Sequence, residues 1–543
     1  MATTTPADLP DDVEELRALL RLQQEEHARL QETVAEYRDE KAQLQDTIAE
    51  YKAENDRLAE YVRLLKSQRF GRSSERSDPE QPPLFNEAEV LVDTASDDEA
   101  AIEVPSHRRR RGGRKPLPDH LPRVEVLRDL EEREKVCPND PGHVLQRLGE
   151  EKAERIVYKP AELYVEVELR PKYACGSCKD QVACRAPSPQ PIPKSMASAS
   201  LLAQIATAKY VDGLPLARQE KILARLGIDL PRATLAAWMI RCGELARPLT
   251  DLLLEKIREG GYVLADETPF QVLNEKGKRA QSRSYLWALR KEDPAHPLLY
   301  YEYAPTRSGE VVRGLLEGFE GYLQTDGYAG YDAFHEMPEV VHVGCFAHAR
   351  RKFDEALRGQ GQGKKKSSKQ RLADQGLSRI NKLFKIERSY RDASPEERHR
   401  LRQEKLAPLV RELREWSIAA KDRVPPTSLS GKAIDYLDGQ WPKLERVLED
   451  GRLELSTNAV ERAIRPFVIG RKAWLFADTP SGATASARLY SLVETAKANR
   501  VDPSRYLETI FERLPVASSR ADYEALMPWC LADELKPSRT SKP

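Results

Sequence analysis

Three acidic residues stand where carboxylates could do chemistry. Asp266 follows the apolar run Tyr262 to Ala265 in GYVLADETPFQVL, and Asp326 ends the strand-like run GYLQTD just before Gly327. Glu461 falls in the first turn or two of a helix announced by Ser456, Thr457 and Asn458 in LELSTNAVERAIRPFVIGRKAWLF, residue types that cap helix starts. Paired carboxylates at the ends of neighbouring strands repel one another unless a cation lies between them. Mg2+ or Mn2+, held by oxygen ligands, is the usual solution. Two such ions about 3.5–4 Å apart serve an in-line phosphodiester displacement, one activating the attacking oxygen and the other stabilising the leaving oxygen. Rival acids exist. Asp332 lies in the GYDAF turn, where capping or surface exposure explains it. Glu267 adjoins Asp266 and points to the opposite face of a continuing strand, and Glu494 in YSLVETAK competes with Glu461 as third acid.

A second constellation involves sulfur. Four of the seven cysteines fall between positions 137 and 184, too few and too unevenly placed for a disulfide framework. Cys175 and Cys178 in KYACGSCKD have the CxxC spacing that aims two thiolates at one tetrahedral ion. Upstream, CPNDPGH supplies Cys137 and His143, so Cys137, His143, Cys175 and Cys178 are the expected ligands of a structural Zn2+, with Cys184 as a competing ligand. Unpaired loop thiols or a redox CxxC are the other readings of the same spacing. The intervening ERIVYKPAELYVEVELRPKY alternates like a hairpin that would bring the two knuckles together.

These residues need a scaffold. Past Gly260 the strand-like runs GYVLADETPFQVL, SYLWALR and PLLYYEYAPT precede a helix, a strand ending at Asp326, a turn, and VHVGCFAHARRKFDEAL, a strand running into a helix. That order is that of a ribonuclease-H-like sheet, in which the first and fourth strands are neighbours and both acids leave one sheet edge. From 266 to 326 is 60 positions, and from 326 to 461 is 135. The longer gap implies a helical insertion opened by GQGQGKKKSSKQ. Before the core, ARQEKILARLGIDLPRATLAAWMIRC reads as two helices around Leu226-Gly227-Ile228, a helix-turn-helix-like layout. The segment RRRRGGRKP, with Arg108, Arg109, Arg110, Arg111, Arg114 and Lys115, suits phosphates or a minor groove, or else a solvated linker.

The amino-terminal part is different in kind. From Val13 to Leu65 a heptad repeat places Val13, Leu20, His27, Val34, Lys41, Ile48, Asn55 and Val62 on one seam position. Leu16, Gln23, Leu30, Tyr37, Leu44, Tyr51, Leu58 and Leu65 occupy the other. Polar residues interspersed on the first seam fix register, as in a coiled coil of few chains. We therefore expect a homodimer or higher oligomer through this helix.

The blocks ADETPFQVL, LQTDGYAGYDAF, CFAHARRKF and STNAVERAIRPFVIGRKAWLF, together with QRFGRSSER, RGGRKPLPDHLPR and YSLVETAKANRVDPSRYLETIFERLP, resemble the transposases of the insertion sequence 66 family. The resemblance covers nearly the whole chain. It implies a DDE transposase with a ribonuclease-H-like core, a multidomain α+β protein that cleaves and joins DNA with two Mg2+ or Mn2+ ions. Its catalytic and metal-binding acids map by motif onto Asp266, Asp326 and Glu461. DNA contacts are expected at His348, Arg351, Arg462, Arg465, Arg471 and Lys472, besides the basic segment. The expected partners are double-stranded DNA, as terminal inverted repeats and target, and small accessory proteins of the same element. A non-catalytic DNA-binding regulator derived from such an enzyme, and a metal-dependent nuclease without strand transfer, are the alternatives. The corresponding organisation is a coiled coil (1–70), a linker with the basic segment (71–120), a zinc-finger-like module (121–195), helix-turn-helix-like DNA-binding helices (196–258), the first part of the core (259–358), a helical insertion (359–450), core completion with the third acid (451–500) and a helical tail (501–543).

Lys plus Arg and Asp plus Glu both number 87, so the formal charge is zero. The balance is uneven: residues 1–105 hold 26 acids and 12 bases, a net of −14, which leaves +14 on the rest. Mean hydropathy is -0.63, no run of about 18 uncharged apolar residues suggests a membrane span, and MATTTPADLPDD lacks the order of a signal peptide. A cytoplasmic, nucleoid-associated bacterial protein with no membrane partner is the expectation. If the acidic arm competes for the basic surface, deleting residues 1–105 will raise nonspecific DNA affinity at low salt and steepen its salt dependence. Anisotropy titrations across a salt series measure both; unchanged values would make the asymmetry compositional accident.

Overall fold

The computed structural model describes residues 13–70, 136–137, 140–144, 163–169, 172–174, 182–184, 187–360 and 371–535. In chain order, α1 (Val13–Phe70) is followed by the short strands β1 (Val136–Cys137), β2 (Asp140–Val144), β3 (Lys172–Ala174) and β4 (Val182–Cys184). Helices α2 (Ala199–Tyr210), α3 (Leu216–Arg225), α4 (Arg232–Leu245) and α5 (Arg247–Arg258) lead into β5 (Gly261–Gln271), β6 (Arg283–Lys291) and β7 (Leu298–Ala304). Then come α6 (Gly309–Leu315), β8 (Gly321–Gln324) and β9 (Val340–Val343). Helices α7 (Phe346–Gln360), α8 (Leu372–Arg388), α9 (Pro395–Leu401), α10 (Ala407–Lys421) and α11 (Leu429–Leu444) precede α12 (Asn458–Trp474), α13 (Pro480–Ala498), α14 (Pro503–Arg513) and α15 (Arg520–Ala525). Two compact units result: Met1–Asn86 with Val343–Ser456, and Glu87–His342 with Thr457–Pro543.

The second unit is built on a mixed five-stranded sheet in the order β7-β6-β5-β8-β9. β5, β6 and β7 are antiparallel neighbours, whereas β8 runs parallel to β5. The expected adjacency of first and fourth strands is therefore present. The β5–β8 register pairs Gly261 with Gly321 and Leu264 with Gln324. A Cβ on Gly321 would stand 2.3 Å from the carbonyl oxygen of Gly261, so the strands can start this close only because glycine lies there. Farther along, the buried Tyr262 hydroxyl donates to Gln324 and ties the same two strands.

β7 is an edge strand, and edges expose backbone groups that must be satisfied. Helix α13 covers it with hydroxyls: Ser491 Oγ accepts from Tyr301 N–H at 2.8 Å, and Thr495 Oγ1 accepts from Leu299 N–H and donates to Leu299 O at 3.1 and 3.0 Å. Small residues on α13 let α4 approach; a Cβ on Gly243 would lie 2.6 Å from Ala485. α3 and α4 form the expected helical pair around a turn with Gly227 at φ 87. Trp238 on α4 is buried core, while Arg232, Ala237 and Arg241 are exposed.

The first unit is helical. In it Leu64 of α1 packs with Ala356 of α7, Ala373 of α8 and Leu429 of α11. Lys432 Nζ lies 4.9 Å from the Tyr61 ring centroid, and the Glu60 carboxylate accepts from Leu429 N–H at 3.2 Å. Arg402, in a π-helical turn (Arg402–Leu406), is fully buried against Glu387 and donates to the carbonyls of Val447, Asp450 and Leu453. Every donor of that guanidinium edge finds an acceptor, the condition under which a buried ion pair is tolerated.

One expectation needs correction. Residues 163–169, the middle of the supposed hairpin, take no regular secondary structure, and Tyr164, Val165, Val167 and Leu169 are largely exposed. Alternation alone does not make a strand; a partner must pair with it. The ribbons that do form are β1 with β2 and β3 with β4, both antiparallel. Replacing Thr495 by Val keeps its shape but strips Leu299 N–H and C=O of their partner. Urea denaturation is expected to show a loss of about 1–3 kcal/mol, and no loss would mean the edge is satisfied otherwise.

Candidate active site

The parallel register decides where the acids fall. Since Leu264 pairs with Gln324, continuing that offset for two residues brings Asp326 level with Asp266. Asp266 lies within β5, and Asp326 has just left β8, where its Oδ1 accepts from Tyr328 N–H at 2.9 Å. Before it, Thr325 is buried, with Oγ1 2.8 Å from His342 Nε2 of β9. Glu461 comes from the first turn of α12 and is only 5% exposed. The capping expectation at this helix is modified: Thr457 is the N-cap but makes no side-chain cap bond, and its hydroxyl lies 3.3 Å from Glu461 Oε1 instead.

Aromatic packing sets α12 on the sheet. Phe467 meets Phe270 of β5 at 5.3 Å and Tyr490 of α13 at 5.4 Å, and Tyr490 meets Tyr210 of α2 at 5.1 Å, all edge-to-face. Each such pair contributes about 0.5–1.5 kcal/mol beyond its buried area. The Tyr301 hydroxyl adds a 2.7 Å bond to Ala463 O, so α12 is also anchored to β7.

Several acids act on Asp266. Burial pushes the Asp266 carboxyl well above its usual range, and the charges of Glu267, Glu461 and Asp326 push it further. Glu494 is absent from that set: it pairs with Lys497 at 2.8 Å and sits near Tyr301 and Tyr490. Asp332 is exposed on the 3-10 turn after β8. Among the described residues, no three His, Cys, Asp or Glu side chains stand close enough to hold a metal ion as they are. The charges of Asp326 and Glu461 both bear on Asp266.

Glu267 is more than a bystander on the opposite face. Its side chain is 1% exposed; Oε1 accepts from Arg307 Nε at 2.6 Å and Oε2 from the Tyr331 hydroxyl at 2.6 Å. Burial and the charge of Asp326 raise its carboxyl, against the opposing effect of Tyr331 and Arg307. Arg307 lies 3.7 Å over the ring of Tyr328, whose backbone N–H holds Asp326 and whose hydroxyl donates to Arg307 O at 2.6 Å. Glu267, Arg307, Tyr331 and Tyr328 therefore form a brace behind Asp326. Sequence reasoning missed it, although a second acid directly after Asp266 was a visible signal.

The other expected site residues scatter. On α12, Arg462, Arg465 and Lys472 are exposed, but Arg471 is 5% exposed and burial pushes its guanidinium down, which places it on the inward face with Glu461. His348 and Arg351 lie on α7 in the helical unit, and burial with the neighbouring Arg351 and Lys352 charges pushes the His348 imidazole down to about 3. It stays neutral at physiological pH and offers no cation to a phosphate. Cys137, His143 and Cys184 lie on β1, β2 and β4. Cys175, Cys178, Arg108, Arg109, Arg110, Arg111, Arg114 and Lys115 lie outside the described residues. No helix among the described residues is long and apolar enough to cross a membrane.

Four family models match segments of the chain. Residues 194–485 match the family model described as Transposase IS66 family. Residues 57–126 match Transposase C of IS166 homeodomain, 134–179 the zinc-finger binding domain of transposase IS66, and 491–529 the IS66 C-terminal element. Relatives in Sinorhizobium fredii (strain NBRC 101917 / NGR234) include the uncharacterized protein y4qI, 33% identical over 96% of this chain and 98% of its own length. A second, y4jD, is 33% identical over 76% of this chain and 81% of its own.

The raised Asp266 carboxyl has a consequence for stability. In the unfolded chain it ionises near 3.8; in the fold it keeps its proton to higher pH. Its contribution is therefore most favourable below 3.8 and is lost as pH rises through the folded value. Without divalent cation, Asp266→Asn should be more stable than wild type at neutral pH, by about 1.4 kcal/mol for every tenfold difference in proton affinity between folded and unfolded chain. The gap should shrink toward pH 4. Thermal melts across pH test this, and a pH-independent gap would refute it.

Proposed function

The chain belongs to the IS66 family of transposases, and from that premise we propose that it is a DDE enzyme with Asp266, Asp326 and Glu461 as its catalytic carboxylates. The sheet order and the parallel β5–β8 pair support a ribonuclease-H-like core. One observation carries the assignment: residues 60 and 135 positions apart come from a strand, a strand end and a helix start, and the charges of both others bear on buried Asp266. Such a cluster has little structural value, since burying like charges destabilises the fold.

The donor set fits Mg2+ or Mn2+: it is all carboxylate oxygen and partly buried. Bound there, a pair of such ions would activate the attacking oxygen and stabilise the leaving one. The three carboxylates hold that charge in place. Glu267 and Arg307 keep Asp326 oriented through Tyr328, and the exposed Arg462, Arg465 and Lys472 bind the phosphate backbone. Attack of water on phosphorus breaks the bond to the 3′ oxygen and leaves a 3′ hydroxyl at the element end. That hydroxyl then attacks a target phosphodiester in a second displacement.

The family's zinc-finger segment, residues 134–179, contains Cys137, His143, Cys175 and Cys178 but not Cys184, which favours the first four as Zn2+ ligands. Dimerisation through α1 is supported by its two faces. Tyr61 and Leu64 engage the helical unit, whereas Leu30, Leu44, Ile48, Leu58, Val62 and Leu65 on the heptad seam are exposed. Terminal inverted repeats are the proposed substrate.

With Mg2+ and a duplex taken from the DNA flanking the gene, Ala at Asp266, Asp326 or Glu461 should each reduce cleavage on the order of a thousandfold or more, and Glu494→Gln far less. Joined products distinguish a transposase from a nuclease. Equal cutting by wild type and Asp266→Ala would defeat the assignment, and binding without cutting would favour a regulator.

A further inference from the structure

We propose that Leu475 and Phe476, at the carboxyl end of α12, form an apolar wedge that enters the base stack of bound DNA. This rests on the DNA-handling reading above and adds to it a contact with the bases themselves. The solvent face of α12 carries Arg462, Arg465, Ile469 and Lys472, spaced by three, four and three residues, hence one stripe. It ends at Leu475 and Phe476, which are 63% and 42% exposed, near Ile469 at 55%. The cations suit phosphates, but phosphates give three large apolar side chains nothing. A duplex satisfies both halves of the stripe, with charge on its outside and apolar faces between its base steps.

The backbone supports a fixed projection. Leu475 has φ 68 and ψ -51, the centre of a γ-turn closed by the Phe476 N–H to Trp474 O bond, a rare and strained conformation for a residue with a Cβ. Such strain persists only where surrounding bonds over-determine it, and it clusters at working sites. Here the turn is clamped on both sides. Leu475 N–H donates to Arg471 O at 2.7 Å and Phe476 N–H to Trp474 O at 2.9 Å, and Trp474 packs on Phe467. Beyond it, Ala477 N–H donates to Gln271 O and Leu273 N–H to Ala477 O, both at 3.0 Å, and Asn274 binds Asp478 through backbone and side chain. The apolar pair is thus carried on a rigid turn pinned between the helix of Glu461 and the strand of Asp266. Along α12 it lies about 21 Å from Glu461, roughly six base steps of 3.4 Å.

The test uses the full chain, no added Mg2+ or Mn2+, and a duplex spanning the DNA that flanks the gene, with 2-aminopurine at one position at a time. Wild type should raise the fluorescence at one or two adjacent positions, as unstacking requires. Phe476→Ser and Leu475→Gly should abolish the rise while anisotropy shows affinity changed by no more than about threefold, since phosphate contacts remain. Phe476→Trp should retain it. Leu475→Gly relieves the γ-turn strain and should melt no lower than wild type, so loss of signal cannot be ascribed to misfolding. A bound duplex with no rise, or a rise undiminished in Phe476→Ser, overturns the wedge alone. A wild type that binds no duplex overturns the DNA-handling reading too. A change in sedimentation with no fluorescence effect would assign the patch to a second copy of the chain and likewise overturn the wedge.

Discussion

Parallel pairing of β5 with β8 is the constraint on which the site depends. A parallel ladder fixes one offset between two strands, and a slip of one residue would turn each side chain to the other face of the sheet. The offset here is 60, from Gly261 opposite Gly321 to Leu264 opposite Gln324. It is also the separation of Asp266 and Asp326. The register is fixed by the close approach at Gly261 and Gly321 and by the bond between Tyr262 and Gln324. A residue inserted between these strands in the loops would leave the site intact, whereas one inserted within either strand would dissolve it.

Bringing like charges together is unfavourable, and the neighbouring core offsets it. Phe270, Phe467, Tyr490 and Tyr210 form a chain of edge-to-face contacts that holds α12 on β5 and joins both to α13 and α2. These rings interact through apolar area and quadrupoles and do not depend on the ionisation of the acids beside them. The scaffold can therefore keep Glu461 close enough for its charge to bear on Asp266. Glu267 receives the opposite treatment, being braced by Arg307 and Tyr331. Adjacent carboxylates on one strand thus have different roles because alternation sends them to different faces.

Much of this was legible in the sequence, and the omissions have physical reasons. The adjacency of first and fourth strands was expected because the succession of apolar runs is like that of a ribonuclease-H-like sheet, in which those strands are neighbours, and the β5–β8 pair has that adjacency. Choosing Glu461 over Glu494 rested on motif; Glu494 pairs with Lys497 and lies near two tyrosines. The brace behind Asp326 was not legible: Arg307 and Tyr331 lie in a loop and a 3-10 turn, where no periodicity announces which way a side chain points. Arg471 was misplaced because a cluster of bases was read as a face. Position 471 falls on the buried side of α12, seven residues on from Ile464 and four on from Phe467, which a count at 3.6 residues per turn would have found. The supposed hairpin around Tyr164 failed because period-two alternation describes a strand's faces and says nothing about its partner.

Helices α1 and α12 each present two different faces. α1 has Tyr61 and Leu64 on the side packed within the helical unit and the heptad seam on another, so one helix can serve folding and association at once. α12 turns Val460, Glu461, Ile464 and Phe467 inward and its basic stripe outward. A helix partitions its residues by angle, so an acid needed beside a sheet and bases needed at a phosphate backbone can be next to each other in sequence and still not cancel. In a chain whose total charge is zero, this angular separation on single helices repeats at small scale what the acidic arm and basic body do at large scale. Net charge is therefore a poor guide to what such a protein binds. The field at each face is set by the few charges that point there, and screening over about 10 Å keeps the rest of the chain from averaging it away.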